Sequence, residues 1–400
     1  MTDKSVVISG MGAISAAGAT VRGTLESFAA GTVNAGKLSL FESPLECPVF
    51  EASSLHPPRS EISSNSAPQD GDRTLRLAMA AVGEALRDAG LDSDRDGLRI
   101  GVCLGTTVAC QLNDMAFYRA YREKGDAPMG AVDRYLKNNL ADAVARAVGA
   151  DGPSATVVNA CSSGTDAVGA ALSWLRAGMC DIAIAGGADE LNRIPLCGFT
   201  ALSVVSPNVC TPFDRDRQGL NLGEGAGIVV LETQKSAANR GVGSPLRVTG
   251  YGSACDAYHL TAPRPDGSGL EAALRAALAE AGVSPADVGF VNAHGTATRD
   301  NDKVEGAVLA RVFGDDLAFL STKGFTGHTL GAAGGLETIF AGTALREGWI
   351  PASPGFANKD DEIPIAPVTE RTGIDTRCAV STSLAFGGNN SALVIERVGQ

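Results

Sequence analysis

Four segments of this chain occur twice in the same order, which constrains it to fold as two like units. Leu246-Arg-Val-Thr-Gly250-Tyr-Gly252 echoes Val6-Val-Ile-Ser-Gly10-Met-Gly12. The helical stretch Leu270 to Gly282, followed by Val288-Gly-Phe-Val-Asn-Ala-His294-Gly-Thr296, echoes a helix ending at Gly90 and then Leu98-Arg-Ile-Gly-Val-Cys-Leu104-Gly-Thr106. Leu345-Arg-Glu-Gly348 echoes Leu175-Arg-Ala-Gly178, and the segment 387–396 echoes 223–232. The offset between matches shrinks along the chain, placing the extra residues of the first unit near 20–70 and 108–150. Within each unit apolar strands alternate with helices, so the fold class is α/β, with sheets covered by helices on both faces. The two units, 1–242 and 243–400, are expected to pack about a pseudo-twofold axis as one compact body. The polar, glycine-bearing link at 237–244 is then a seam between them.

Individual elements follow from periodicity and punctuation. Leu75, Ala78, Val82, Ala85, Leu86 and Ala89 recur at helical spacing from an N-cap at Asp72 to a stop at Gly90. Leu98–Gly105, Asp181–Gly186 and Gly227–Glu232 read as strands, residues 31–70 as irregular, and 118–124 and 134–147 as helical pieces. Ala155 to Ala160 reads as a buried strand delivering Cys161 to the N-terminus of a helix that ends at Gly178. A sulfur placed there meets the positive end of the helix dipole, which favours the thiolate.

Composition removes several classes of function. The net charge of -12 argues against nucleic acid, which needs a dominant basic surface. An acidic protein partner would need a local basic patch. The nine cysteines are an odd number without a C-x-x-C pair, which fits neither a disulfide framework nor a zinc ribbon. The opening M-T-D-K-S-V-V-I enters a strand without a basic and apolar leader, and no run of about 18 apolar residues occurs. A reduced, cytoplasmic protein outside the membrane is expected. No H-E-x-x-H, ligand-spaced Cys/His cluster or carboxylate-rich loop points to a metal. Gly10-x-Gly12 lacks the third glycine of a dinucleotide fingerprint, and no phosphate-binding G-x-x-x-x-G-K is present. Ser162 and Ser163 lack the G-x-S-x-G setting of a serine nucleophile.

Only four histidines are available, His56, His259, His294 and His328. His294 and His328 sit in glycine-rich turns directly after apolar strands, where groups in α/β folds line the site crevice, and Cys161 is placed the same way. His294 stands opposite Leu104 in the repeat, so the second unit carries a titratable group where the first is apolar. For the other cysteines the bland reading is the better one: buried hydrophobes, or thiols with no base beside them. His56 and His259 read as structural. Lys323 and Glu337 alone would pass for a surface charge and a solvated helix residue, and their position around His328 raises them.

V-N-A-C161-S-S-G-T-D, N-A-H294-G-T-A-T, K323-G-F-T-G-H328-T-L-G-A-A-G and F386-G-G-N-N resemble the signature segments of the β-ketoacyl-acyl-carrier-protein synthases of the type I/II group, within the thiolase-like condensing enzymes. Pro212 to Gly227 and Asp256-Ala-Tyr-His-Leu-Thr extend the similarity along nearly the whole chain. The resemblance implies a five-layered thiolase-like fold, in homodimers or in heterodimers with a related chain. It implies decarboxylating Claisen condensation of an acyl-enzyme thioester with malonyl-acyl-carrier protein, in fatty-acid or polyene/polyketide biosynthesis. Cys161 would take the acyl chain, and His294 and His328 would promote decarboxylation and stabilise the enolate. The backbone N–H groups of Cys161 and Phe386 would bind the tetrahedral oxyanion, with Phe386 also a gate. Lys323 and Glu337 would orient the histidines, and Thr296 and Thr298 would meet the phosphopantetheine arm, which arrives on the acyl-carrier protein, so no bound cofactor is implied.

Two segments depart from the family pattern. The gate loop commonly reads G-F-G-G-T-N and here reads Ala385-Phe-Gly-Gly-Asn389-Asn390, the alanine restricting hinge freedom. After the first histidine the chain has Thr298-Arg-Asp-Asn-Asp302 in place of T-P-A-G-D. These departures leave room for a specialised synthase. Three other readings compete. A thiolase acting on coenzyme A thioesters is opposed by the Cys-His-His set with its lysine. A chain-length-factor-like partner subunit would lack the nucleophile, and a starter-unit synthase would carry asparagine in place of His328.

Overall fold

The computed structural model describes residues 5–52, 73–91, 97–107, 115–130 and 139–399. Its strands are β1 (Val6–Ser15), β2 (Ile100–Gly105), β3 (Ser154–Val157), β4 (Ile182–Asp189), β5 (Gly225–Thr233), β6 (Leu246–Cys255), β7 (Phe290–Asn292), β8 (Ala318–Leu320), β9 (Trp349–Ile350), β10 (Thr372–Gly373), β11 (Cys378–Ala385) and β12 (Asn389–Arg397). Strands β9 and β10 form a separate ribbon. The other ten make one hydrogen-bonded sheet in the order β3-β2-β4-β5-β1-β6-β12-β11-β7-β8. Read outward from the β1–β6 junction, β1, β5, β4, β2, β3 and β6, β12, β11, β7, β8 are the same path walked twice. Both outer trios are parallel, and β5 and β12 are antiparallel to both neighbours. The junction itself is thin, pairing only Val6 with Val248 and Val7 with Arg247.

The helices complete five layers. Arg73–Asp88 and Leu140–Val148 cover the outer face of the first half-sheet, while Ser268–Ala281 packs on β6 and β12 of the second with Arg299–Phe313 against it. Between the half-sheets lie Ser163–Arg176 and Ala333–Glu347, packed on each other and on strands of both halves. The second of these has no solvent face, and residues 333–345 are accordingly all buried. Backbone comes so close there that a Cβ on Gly335 would sit 2.2 Å from the Gly227 carbonyl oxygen. The largest apolar cluster draws on both halves, from Ile8 and Val229 to Phe290 and Leu393.

One strand differs from expectation. The segment before Cys161 is a strand only over Ser154–Val157, is partly exposed rather than buried, and occupies the sheet edge with β2 as its single neighbour. It ends early because the chain turns sharply, Ala160 taking φ +50°. Met115–Lys124 and Leu140–Val148 are the helical pieces, the second capped by the Asn139 side chain. Residues 31–52 contain no helix and only isolated bridges. Asp72, His56, Cys110 and residues 134–138 lie outside the described residues. Among the described residues no helix is long and apolar enough to cross a membrane.

Candidate active site

Four loops meet at one point because the sheet ends there. The loop after β3 carries Cys161, the loop after β7 carries His294, the segment after β8 carries Lys323 and His328, and the β11–β12 turn carries Phe386. The Cys161 sulfur and one ring nitrogen from each of His294 and His328 lie within 4.8 Å of one another, all three residues buried. The imidazoles meet edge to face, centroids 5.2 Å apart. Backbone strain gathers here too: Ala160, Ala297 and Leu330, each within two residues of a named site group, have positive φ without being glycine.

Hydrogen bonds decide which nitrogen of each ring carries its proton. Lys323 Nζ donates to His294 Nδ1 at 3.1 Å, and the Leu330 N–H donates to His328 Nδ1 at 3.2 Å. With both Nδ1 atoms accepting, a neutral ring must hold its hydrogen on Nε2. Burial, and after it the Lys323 charge, push both imidazoles well below the ordinary histidine range. The site therefore contains two neutral imidazoles, each with an Nε2–H donor. Such a set is organised to bind an oxyanion rather than to coordinate a metal, although cysteine and histidine are ligands for a soft one.

Lys323 is itself buried and forms an ion pair with Glu337, whose second oxygen has no hydrogen-bond partner among the described residues. Burial raises the Glu337 carboxyl, and the Lys323 ammonium opposes it.

The sulfur behaves differently from the helix-dipole expectation. Cys161 does precede the Ser163–Arg176 helix. Burial nonetheless pushes its thiol up to about 11, against the lowering effects of the Lys323 ammonium and the Phe386 N–H that points at it. Desolvation of a thiolate outweighs the favourable groups around it, so the resting sulfur is a thiol. Its loop is fixed by Asp166, which accepts from Ser162 Oγ (2.8 Å), Asn159 Nδ2 (2.6 Å) and Tyr251 Oη (2.9 Å). Asn389, one of the departures from the family pattern, donates to Asn159 Oδ1 at 2.7 Å and so ties the β11–β12 turn to the loop that carries Cys161. Ala385 is the last residue of β11, paired with Asn389.

Three carboxylates that hold the site together were not singled out by sequence. Glu305 accepts the N–H groups of His294 and Gly295 (both 2.8 Å) and the Thr382 hydroxyl (2.7 Å). Asp189 accepts from Thr106 Oγ1 (2.6 Å), the Thr107 N–H (2.8 Å) and the Gly331 N–H (2.6 Å), joining the two halves beside the site. Asp166 is the third. Asp166 and Asp189 each lie on a largely apolar element, the one signal that could have marked them, whereas Glu305 sits in a helix with several other charges. His259, read as structural, also lines the cleft, its Nδ1 accepting from the Thr261 and Ala262 N–H groups (both 3.1 Å).

The cleft above these groups encloses about 480 Å³, and Cys161, both histidines, Thr296, Thr298 and Phe386 line it. The two threonine hydroxyls are 2.9 Å apart. The Phe386 ring stacks on Phe199 at 5.2 Å, and Phe199 lies 6.3 Å from His328, so an apolar wall faces the polar centre.

Comparison with known proteins converges on one family. Residues 3–237 match the profile of the beta-ketoacyl synthase N-terminal domain, and residues 246–357 that of the beta-ketoacyl synthase C-terminal domain. A 3-oxoacyl-[acyl-carrier-protein] synthase 2 from Staphylococcus aureus (strain N315) is 34% identical over 99% of both chains. Among solved structures, the ishigamide ketosynthase/chain length factor superposes with a TM-score of 0.90 at 34% identity, over 99% of each chain. A ketosynthase in complex with its chain length factor from Xenorhabdus doucetiae gives 0.84 at 30% identity over 98% of each.

Proposed function

We propose a residue-level mechanism for a chain that belongs to the β-ketoacyl synthase family: it is an acyltransferase that condenses an acyl thioester with malonyl-acyl-carrier protein, with loss of CO2, in fatty-acid or polyketide biosynthesis. Cys161 Sγ attacks the carbonyl carbon of the incoming acyl thioester. The bond to the pantetheine sulfur breaks, and the thiol proton of Cys161 leaves with that sulfur. Because burial favours the thiol, the proton moves during transfer rather than before it. The N–H groups of Cys161 and Phe386 hold the oxyanion formed at the acyl carbon.

In the second half-reaction the malonyl thioester carbonyl lies between the Nε2–H groups of His294 and His328. The bond to the carboxylate breaks, CO2 departs, and the electron pair becomes an enolate whose oxygen the two donors stabilise. The enolate carbon attacks the acyl-cysteine, the Cys161 sulfur leaves as a thiolate, and it takes a proton from solvent. Lys323 and Glu337 keep the proton of His294 on Nε2, and Thr296 and Thr298 meet the amides of the arm. The observation that carries this reading is the convergence of one thiol with two imidazoles whose Nδ1 atoms are both held as acceptors.

The partners in this reading are an acyl-carrier protein, which delivers the phosphopantetheine arm, and a second ketosynthase-like chain in a homodimer or heterodimer. The mirrored strand order supports treating 1–242 as the nucleophile half and 243–400 as the histidine half. The described cysteines are all free, which favours a cytoplasmic place of action. Incubation of Cys161→Ala with acyl-carrier-protein thioesters tests the nucleophile. Acyl transfer falls on the order of 10³-fold or more while the fold persists. An acyl adduct on that variant by intact mass would overturn the assignment.

A further inference from the structure

The chain from His294 to Arg299 leads out of the site: residues 294 to 297 are buried, Thr298 is half-buried and Arg299 is exposed, and His294, Thr296, Thr298 and Arg299 all line the cleft. Arg299 opens the helix Arg299–Phe313, where a cation opposes the helix dipole and where proline, the residue the family commonly has here, is favoured. No described carboxylate pairs with it directly. Its backbone carbonyl accepts from Arg217, but its guanidinium makes no hydrogen bond or ion pair with any described residue. Asp216 and Asp360 feel its charge, but these are engaged by Arg215 at 3.2 Å and Arg217 at 2.6 Å. Asp300, beside it on the cleft wall, adds negative charge that does not cancel it by contact. A local rule broken without an internal compensation marks a place where an external group supplies it.

We propose that Arg299 is a specificity-determining residue that binds the phosphate of the phosphopantetheine arm, an inference that rests on the condensing-enzyme reading above. The arm carries a single phosphodiester at the end opposite its thiol. With the thioester at Cys161 and the amides at Thr296 and Thr298, that phosphate lies at the outer end of the same path. A guanidinium matches a phosphate with two parallel donors.

The test compares malonyl-phosphopantetheine with malonyl-pantetheine, which lacks the phosphate, following CO2 release by the full-length protein. For Arg299→Ala the preference for the phosphorylated thioester, as a ratio of kcat/KM values, falls about tenfold. The loss is in KM, and Arg299→Lys recovers part of it. Asp300→Asn moves the ratio the other way by a smaller factor. Arg299→Gln repeats the measurement with a side chain that keeps hydrogen bonding and loses charge. An unchanged ratio in both Arg299→Ala and Arg299→Gln, with CO2 released from both thioesters, overturns the role of Arg299 alone. Wild-type protein that releases CO2 from neither overturns the condensing-enzyme reading, and this proposal with it.

Discussion

The two halves walk the same path through the sheet and, in the proposed mechanism, do opposite chemistry at its end. In the first, the strand β2 carries Leu104, fully buried in an apolar cluster. In the second, the equivalent β7 runs into His294, as buried but turned to a lysine, a second imidazole and the cleft. The central helices show the same division. Ser163–Arg176 follows Cys161, the proposed nucleophile, whereas Ala333–Glu347 follows His328 and carries Glu337. In the proposed mechanism, the duplicated scaffold lets one copy specialise in holding an acyl group and the other in stabilising a developing negative charge. The central helices pack together, so the two proposed functions meet across one packed interface.

That division of labour can be broken experimentally. The largest expected effect is on the second half alone: His294→Ala and His328→Ala each lower CO2 release from malonyl-acyl-carrier protein on the order of 10²–10³-fold. Acylation of Cys161, followed by intact mass, persists in both. Loss of acylation and decarboxylation together would show that the halves are not chemically separable.

A second variant copies the second half into the first. Leu104→His buries an imidazole among alkyl groups with no partner, and unfolding by denaturant should show a loss of roughly 2–4 kcal/mol. No gain in decarboxylation accompanies it, since a histidine needs the Lys323 and Glu305 framework to be useful. An unchanged midpoint would mean that the first half has a polar niche after all.

The smallest effect is electrostatic. Burial comes first and the Lys323 charge second in depressing the imidazoles of His294 and His328, so Lys323→Ala raises both toward the ordinary value of 6.5 without reaching it. With four histidines in the chain, ring-carbon NMR titration can follow the shift. The sign for stability follows: both rings are buried neutral, so the unfolded chain binds protons that the folded one refuses. Their contribution is fully present above pH 6.5 and is lost as pH falls below it. Imidazoles that titrate unchanged in Lys323→Ala would place the lysine outside their field.

Much of this asymmetry was readable from residue order. The Leu104–His294 mismatch stood out against a repeat, and the glycine-rich turns around His294 and His328 marked strand ends. The supporting carboxylates were harder to read, because Glu305 and Asp189 do most of their work through backbone N–H groups that any residue supplies. Strand β3 misled for a related reason: Ala155 to Ala160 has the small apolar residues of a buried strand, but the sheet order puts it at an edge, where burial is partial.

The sequence by itself determined the duplication, the alternation of helix and strand, and the identities of one thiol and two imidazoles at strand ends, because these depend on local periodicity and residue type. Only the tertiary structure decided that the three meet within 4.8 Å, that both rings carry their protons on Nε2, and that Cys161 rests as a thiol pushed up to about 11. Those outcomes depend on which distant groups donate to which atoms and on how completely water is excluded. Neither is a property of any stretch of chain taken alone.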